Sequence, residues 1–362
     1  MISLKSSTKT LICIGSGGVG KTTMAASIGV GLACAGKKIL VLTIDPSLRL
    51  AQALGIKTDG ELHRVPLNLG ANTNSGGELW SCIINHKKTF EWFIRSASQN
   101  SDIEVLLQNR LYQQLSGRLS GSQEFTALIS LYRFVSAKEY DLVILDTPPS
   151  QHTWNFLRAP EKISALFNEG VASWFREPPK NKKGVFRKIL NLGTAQVLKT
   201  LETLTGSFFM KELSAFFGAV QKWQAPLADY VMNCHRLLVS AETEFILVTA
   251  LDSSRIIEAQ KLSREIQKQG YYLTSVIINR IPTWTDIKTI NPPSQEKKIK
   301  SPRVRELLKY HESLENDLQS RLNQFKSSLK VYKCFELSQN TENADDNISN
   351  LQKNYNSILA VD

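Results

Sequence analysis

The chain has 362 residues, 42% of them hydrophobic and 21% charged, and its 44 Lys and Arg against 33 Asp and Glu leave a net charge of +11. These are ordinary globular proportions. They exclude wholesale disorder and collagen-like repetition, and the length allows about two domains or one large α/β unit with insertions. Five scattered cysteines (Cys13, Cys34, Cys82, Cys234, Cys334) include no CxxC pair, which argues against a disulfide framework and a ready-made zinc site and suits a reducing compartment.

No stretch reaches 18 uncharged apolar residues, so no membrane span is expected. The apolar run Leu11–Ile14 is too short for a signal-peptide core, and the expected setting is the cytoplasm. Leu11–Ile14 reads instead as a short buried strand. Gly15–Gly20 follows as a glycine-rich turn, and Lys21 to about Cys34 as a helix of small apolar residues closed by Gly36. Ile39–Ile44 is the next strand, ended by Asp45-Pro46. Further strands are predicted at Trp80–Ile84, Asp141–Leu145, Phe245–Ala250, Leu273–Ile278 and Val331–Phe335. Helical patterns separate most of them, the signature of a mostly parallel, doubly wound α/β sheet with helices on both faces.

Two strand-free stretches break that rhythm, from about Thr89 to Ser136 and from about Glu161 to Leu238. The second is rich in large apolar groups, among them Leu166, Phe167, Trp174, Phe175, Phe208 and Phe209. Together they predict a helical subdomain of residues 89–136 and 161–238, inserted in a core of residues 1–88, 137–160 and 239–362. The aromatics at helical spacing suit either the core of a helical layer or a groove for an apolar segment. Basic charge gathers at Arg176–Lys188 and Lys297–Lys309 and reads as solvated loops. Without aromatic interleaving or a helix-turn-helix pattern, nucleic-acid binding is not expected.

The sharpest motif is Gly15-Ser16-Gly17-Gly18-Val19-Gly20-Lys21-Thr22, which fits G-x-x-x-x-G-K-[ST] between a strand and a helix. Its glycines let the N–H groups of Gly17, Gly18, Val19 and Gly20 converge on a phosphate, and the helix N-terminus adds partial positive charge. Lys21 is then the phosphate counter-charge, Thr22 a Mg²⁺ ligand, and Thr23 within reach of the α-phosphate. Asp45 stands where a carboxylate faces the γ-phosphate and Mg²⁺, the metal through water, and can orient or deprotonate an attacking water, although an Asp before Pro also simply ends a strand. Asp146 closes the apolar run YDLVILD, a Walker B pattern that supports Mg²⁺ through water. The rigid turn Thr147-Pro148-Pro149-Ser150 can sense a γ-phosphate. Asn279, after Val276–Ile278, either ends a strand or reads a purine edge with its amide.

GGVGKTT, TIDPS at Thr43–Ser47, LSGSQEF at Leu119–Phe125, DTPPSQHT at Asp146–Thr153 and VIINRI around Asn279 together resemble the arsenical-pump (ArsA-like) ATPase family. Its relatives include the guided-entry ATPase that carries tail-anchored membrane proteins. The resemblance implies a P-loop NTPase with a deviant Walker A loop, using ATP and Mg²⁺ and dimerising around nucleotide. It implies switch I near Asp45, the water-activating aspartate; switch II at Asp146, Thr147, Pro148, Pro149 and His152; and adenine read near Asn279. For relatives it implies a hydrophobic groove in the helices that correspond to Pro160–Leu238, hence a hydrophobic protein segment or membrane protein as partner of a homodimer. His152 matches the switch II histidine and is equally readable as a surface-helix residue, and Glu124 lies in a matched segment without an assigned role.

Three departures qualify the resemblance. Ser16 stands at the family's signature lysine, which implies slow turnover. The zinc-binding CxxC of some targeting homodimers is missing, and no cysteine cluster matches an arsenite site. The expected function is an ATP-hydrolysing dimer whose nucleotide state is coupled to the helical region. A low-turnover, nucleotide-locked clamp and an arsenite-pump subunit are the alternatives.

Overall fold

Short apolar runs bounded by turns form the inner strands of this chain, a run of small apolar residues forms its first helix, and stretches with apolar residues at helical spacing form the later ones. The computed structural model describes residues 2–45, 49–67, 76–97, 123–147, 156–158, 229–282, 329–336 and 344–361, with isolated positions between 303 and 325. Two compact units divide the chain. The first comprises Met1–Ile84, Ser130–Asn155 and Arg236–Asp362, the second Asn85–Ile129 and Phe156–His235.

In the first unit the described residues form nine strands: β1 (Thr10–Gly15), β2 (Lys38–Thr43), β3 (His63–Val65), β4 (Glu78–Ile83), β5 (Leu142–Asp146), β6 (Thr243–Ala250), β7 (Leu273–Ile281), β8 (Lys330–Phe335) and β9 (Ile358–Ala360). They make one sheet in the order β3-β4-β2-β5-β1-β6-β7-β8-β9. The seven inner strands run parallel. Only the edge strands β3 and β9 are antiparallel. β1 lies between β5 and β6, so its residues Leu11–Ile14 are fully buried on both faces. That explains an unbroken apolar run instead of an alternating one.

The helix α1 (Lys21–Cys34) is buried almost all round, with Met24, Ala25, Ala26, Ile28 and Val30 at 0% exposure. It packs against the sheet, against α2 (Arg49–Leu54) and against a late helix, Ala344–Asn356. Asn354 of that late helix donates to Ser27 Oγ of α1 at 3.1 Å, across 327 residues of sequence. Ile246 and Val248 of β6 belong to the same cluster as α1. The alternate residues Phe245 and Leu247, also at 0% exposure, point to the opposite face, and the helix Ser253–Lys268 packs on β6 and β7.

In the second unit, helix α3 (His86–Ala97) carries Phe93, whose ring lies edge-on to Tyr230 at 5.0 Å between centroids. Tyr230 Oη donates to the Ile129 carbonyl at 3.2 Å, which ties a helix over residues 229–239 to helix α4 (Gln123–Ser136). No described helix is long and apolar enough to cross a membrane.

Two strands escape the sequence patterns, His63–Val65 and Ile358–Ala360. Each has three residues, too few to display a period of two. β7 runs on to Ile281, beyond the predicted end at Ile278, through a register shift between Ile278 and Ile281. The apolar residues Leu166, Phe167, Trp174, Phe175, Phe208 and Phe209, and the basic segment Arg176–Lys188, lie outside the described residues.

Candidate nucleotide-binding site

β1 ends in the glycine-rich loop, and two of its glycines are required by close neighbours. Gly15 sits at φ +150°, and a Cβ there would lie 2.1 Å from the Val248 carbonyl oxygen. Gly20 sits at φ +91°, and its Cβ would lie 2.3 Å from Asn279 Nδ2. Neither position admits a side chain. Gly20 also caps α1, without a side-chain hydrogen bond and with no acidic residue in the first turn. The first N–H groups of α1 are therefore not claimed by a cap, the arrangement that suits an anion at a helix N-terminus.

Lys21 opens α1 and is buried, and its Nζ donates to the Ser16 carbonyl at 2.7 Å. Burial draws its pKa below the ordinary lysine range, while the carboxylates of Asp146 and Asp45 push it back up and Arg49 draws it down. Lys21 therefore feels the charge of both carboxylates. Thr22 is half-buried and Thr23 is exposed on the same first turn.

Asp146, at the end of β5, is fully buried. Its Oδ2 accepts from Thr22 Oγ1 at 2.7 Å and from Thr43 Oγ1 at 3.0 Å. Its Oδ1 is buried with no hydrogen-bond partner among the described residues. Burial pushes the pKa of this carboxyl up to about 6, against the two hydroxyl bonds and the Lys21 charge, which lower it. An orphaned carboxylate oxygen beside a P-loop hydroxyl is a hard oxygen donor set. It fits Mg²⁺ held through water, with phosphate supplying most of the ligands. No group of three or more His, Cys, Asp or Glu side chains that could hold a metal gathers among the described residues, so nothing there resembles an all-protein cage.

Asp45 follows β2, half-buried, with its N–H donating to Thr43 Oγ1 at 3.2 Å. Thr147 is pinned to β1, its Oγ1 donating to the Cys13 carbonyl at 2.7 Å. Pro148, Pro149 and His152 lie outside the described residues. Asn279 lies within β7, two residues before its last and opposite Ala250, and does not follow the strand as the sequence suggested; it is buried, and its Nδ2 donates to the Val19 carbonyl at 2.9 Å. The structure therefore brings Lys21, Thr22, Asp45, Asp146 and Asn279 to the loop at the carboxyl edge of the sheet, the edge where open α/β sheets bind ligands.

Thr43 and Arg49 were not singled out by sequence. Thr43 acts only because β2 pairs with β5 and sets it opposite Asp146, a register that local pattern does not encode. Arg49 opens α2, exposed, four residues beyond Asp45; a basic residue so soon after a site carboxylate was the available signal. Glu124 lies in the first turn of α4. Its charge bears on His86, whose pKa is lowered by burial and partly restored by Glu124. His86 Nδ1 lies 2.5 Å from Thr126 Oγ1. The five cysteines are free, and all but Cys34 are buried.

The family model described as anion-transporting ATPase matches residues 8–324. The chain is 31% identical to the ATPase GET3 of Candida glabrata over 282 residues, 74% of this chain and 70% of that protein. It is 22% identical to the ATPase asna-1 of Caenorhabditis elegans, over 74% of this chain and 72% of that one. With the ATPase GET3B of Arabidopsis thaliana it shares 26% identity over 76% of its own length and 65% of the relative's.

Proposed function

The chain belongs to the anion-transporting ATPase family, and on that premise we propose that it binds MgATP and hydrolyses it to ADP and phosphate as a homodimer. The observation that carries this reading is the meeting of Thr22, Thr43 and the orphaned Oδ1 of Asp146 beside the loop. A buried acceptor without a partner costs free energy unless a ligand completes it.

Residues 17–22 offer backbone N–H groups to the phosphates. Lys21, parked on the Ser16 carbonyl, exchanges that neutral acceptor for β- and γ-phosphate oxygens. Thr22 and Asp146 would hold the metal, Thr22 through its hydroxyl and Asp146 through water. When bound there, Mg²⁺ supplies charge neutralisation to the phosphate oxygens. Asp45 accepts a proton from the attacking water as its oxygen bonds to the γ-phosphorus. The bond to the β–γ bridging oxygen breaks, and ADP leaves with that electron pair. Asn279 serves the adenine edge with what its amide has left beyond the Val19 bond. The residues from Asp146 to His152, Pro148 and Pro149 included, relay the loss of the γ-phosphate to a helical region spanning 89–136 and 161–238. That region takes a hydrophobic protein segment as client.

A second reading has specific support in Ser16, which cannot carry a cation to a partner's phosphates. The protein then acts as a clamp that closes on ATP and hydrolyses it slowly. Steady-state turnover with Mg²⁺, measured beside Lys21→Ala, separates the two. Turnover that vanishes in the variant supports the ATPase; tight ATP binding with no turnover above the variant supports the clamp. A hydrophobic dye whose binding is indifferent to nucleotide state would count against a gated client groove.

A further inference from the structure

Glycine-rich loops bind phosphate through backbone N–H groups, and the freedom that lets glycine adopt the loop also lets its peptide planes turn away. In this chain the plane between Val19 and Gly20 is held from outside. Asn279 Nδ2 donates to the Val19 carbonyl at 2.9 Å, and the same nitrogen fills the space a Gly20 side chain would need. Because a trans peptide is planar, with C=O and N–H on opposite sides, securing the Val19 carbonyl toward Asn279 directs the Gly20 N–H away from it and prevents a flip.

The end of β7 is shaped to keep Asn279 there. The β7–β8 ladder breaks register after Ile278 and resumes at Ile281, opposite Phe335. Between them Arg280 takes a left-handed backbone at φ +58°, uncommon for a residue with a side chain. Asn279 itself is only 6% exposed. A strand end that breaks its ladder around one buried amide, with that amide on the phosphate loop, points to more than strand termination.

We propose that Asn279 is a positioning residue for the phosphate loop, locking the Val19–Gly20 peptide in its phosphate-binding orientation, a role separate from any contact with a base. It rests on the loop being a nucleotide site. Removing the lock lets the loop populate orientations that must be reversed on binding, so affinity falls even for a ligand that has no base.

The test compares wild type with Asn279→Asp, which is isosteric but offers no donor, and Asn279→Thr, a good strand former too short for the amide's reach. Affinities are measured for MgATP and for inorganic Mg-tripolyphosphate. Amide exchange at residues 17–22 is measured without ligand, and melting confirms that each variant is folded. The expected result is a loss of about three- to tenfold for tripolyphosphate in a folded variant, the size of one hydrogen bond. ATP should weaken by the same factor, and exchange at residues 17–22 should speed up. Unchanged tripolyphosphate affinity and unchanged exchange overturn the proposal, and a loss confined to ATP assigns Asn279 to the base alone. If wild type binds neither ligand, the nucleotide reading fails, and the exchange comparison still decides whether Asn279 orders the loop.

Discussion

Thr43 stands opposite Asp146 across the β2–β5 ladder, and its hydroxyl donates to the same carboxylate oxygen that Thr22 bonds from the phosphate loop. One oxygen of Asp146 is thus committed to the protein, and the other has no partner among the described residues. Thr22 on α1 and Thr43 on β2 thus converge on one oxygen of a carboxylate carried by β5, more than 100 residues further along the chain.

Thr43→Val should loosen the hold on that carboxylate while preserving β-branched packing in β2. We expect the apparent Mg²⁺ affinity for nucleotide-dependent turnover to fall about tenfold, the usual cost of removing a supporting hydrogen bond around a metal site. A Mg²⁺ titration of turnover checks it.

Burial pushes the Asp146 carboxyl up from the ordinary 3.8 to about 6. Its raised value means that the folded state penalises the ionised form. The stability this residue contributes is full below about pH 4 and is lost as pH rises toward 6. Metal binding has the opposite preference, because it needs the carboxylate. Mg-dependent nucleotide affinity should weaken as pH falls below about 6, and binding there should release a proton. By about pH 8 that release should be gone. Calorimetry in buffers of different ionisation enthalpy reads both.

If the proposed nucleotide site is right, Lys21→Ala should lower turnover by about a thousandfold or more, since the ammonium is proposed to move from the Ser16 carbonyl to the phosphates. Arg49→Glu should act more gently, because Arg49 is exposed and its influence is screened. We expect ATP affinity to fall about three- to tenfold at low ionic strength, and the difference from wild type to shrink at about 0.5 M salt. A loss independent of salt would mean that Arg49 makes a direct, desolvated contact.

In the second unit, Phe93 is 2% exposed and meets Tyr230 edge-on. Phe93→Ala should destabilise that unit by about 3–5 kcal/mol, the cost of a buried aromatic and its cavity. Tyr230→Phe, which loses only the bond to the Ile129 carbonyl, should cost about 1 kcal/mol. Denaturant unfolding followed by tryptophan fluorescence gives both, with Trp92 beside Tyr230 as a local reporter.

What could be read from the sequence follows from the range over which each signal acts. The phosphate loop was legible because strand, glycines, lysine and threonine are contiguous, and each residue has a mechanical reason for its place. The central strands, β1 and β5 above all, were legible because burial on both faces writes them as continuous apolar runs, while β4 and β8, nearer the edges, carry polar residues among their apolar ones. The edge strands His63–Val65 and Ile358–Ala360 were not, being too short to carry a pattern. Strand order is also silent in local sequence, so the pairing that sets Thr43 against Asp146 was beyond reach. Asn279 could be singled out by its position after the apolar run Val276–Ile278. Its bond to Val19 could not, because both the amide and the loop are placed by elements 260 residues apart.

The position of β1 has a consequence for how the protein is made. Its neighbours are β5 and β6, and α1 is sealed by an asparagine 327 residues downstream. A ribosome therefore delivers the phosphate loop first and its walls last. Until residues near 250 have emerged, β1 lacks one of its two partner strands and keeps one backbone edge unpaired, and the buried surface of α1 stays uncovered until the late helix follows. Such long-range pairing makes for slow folding and exposed intermediates, so the growing chain stays incompletely buried over the very segment proposed to bind nucleotide.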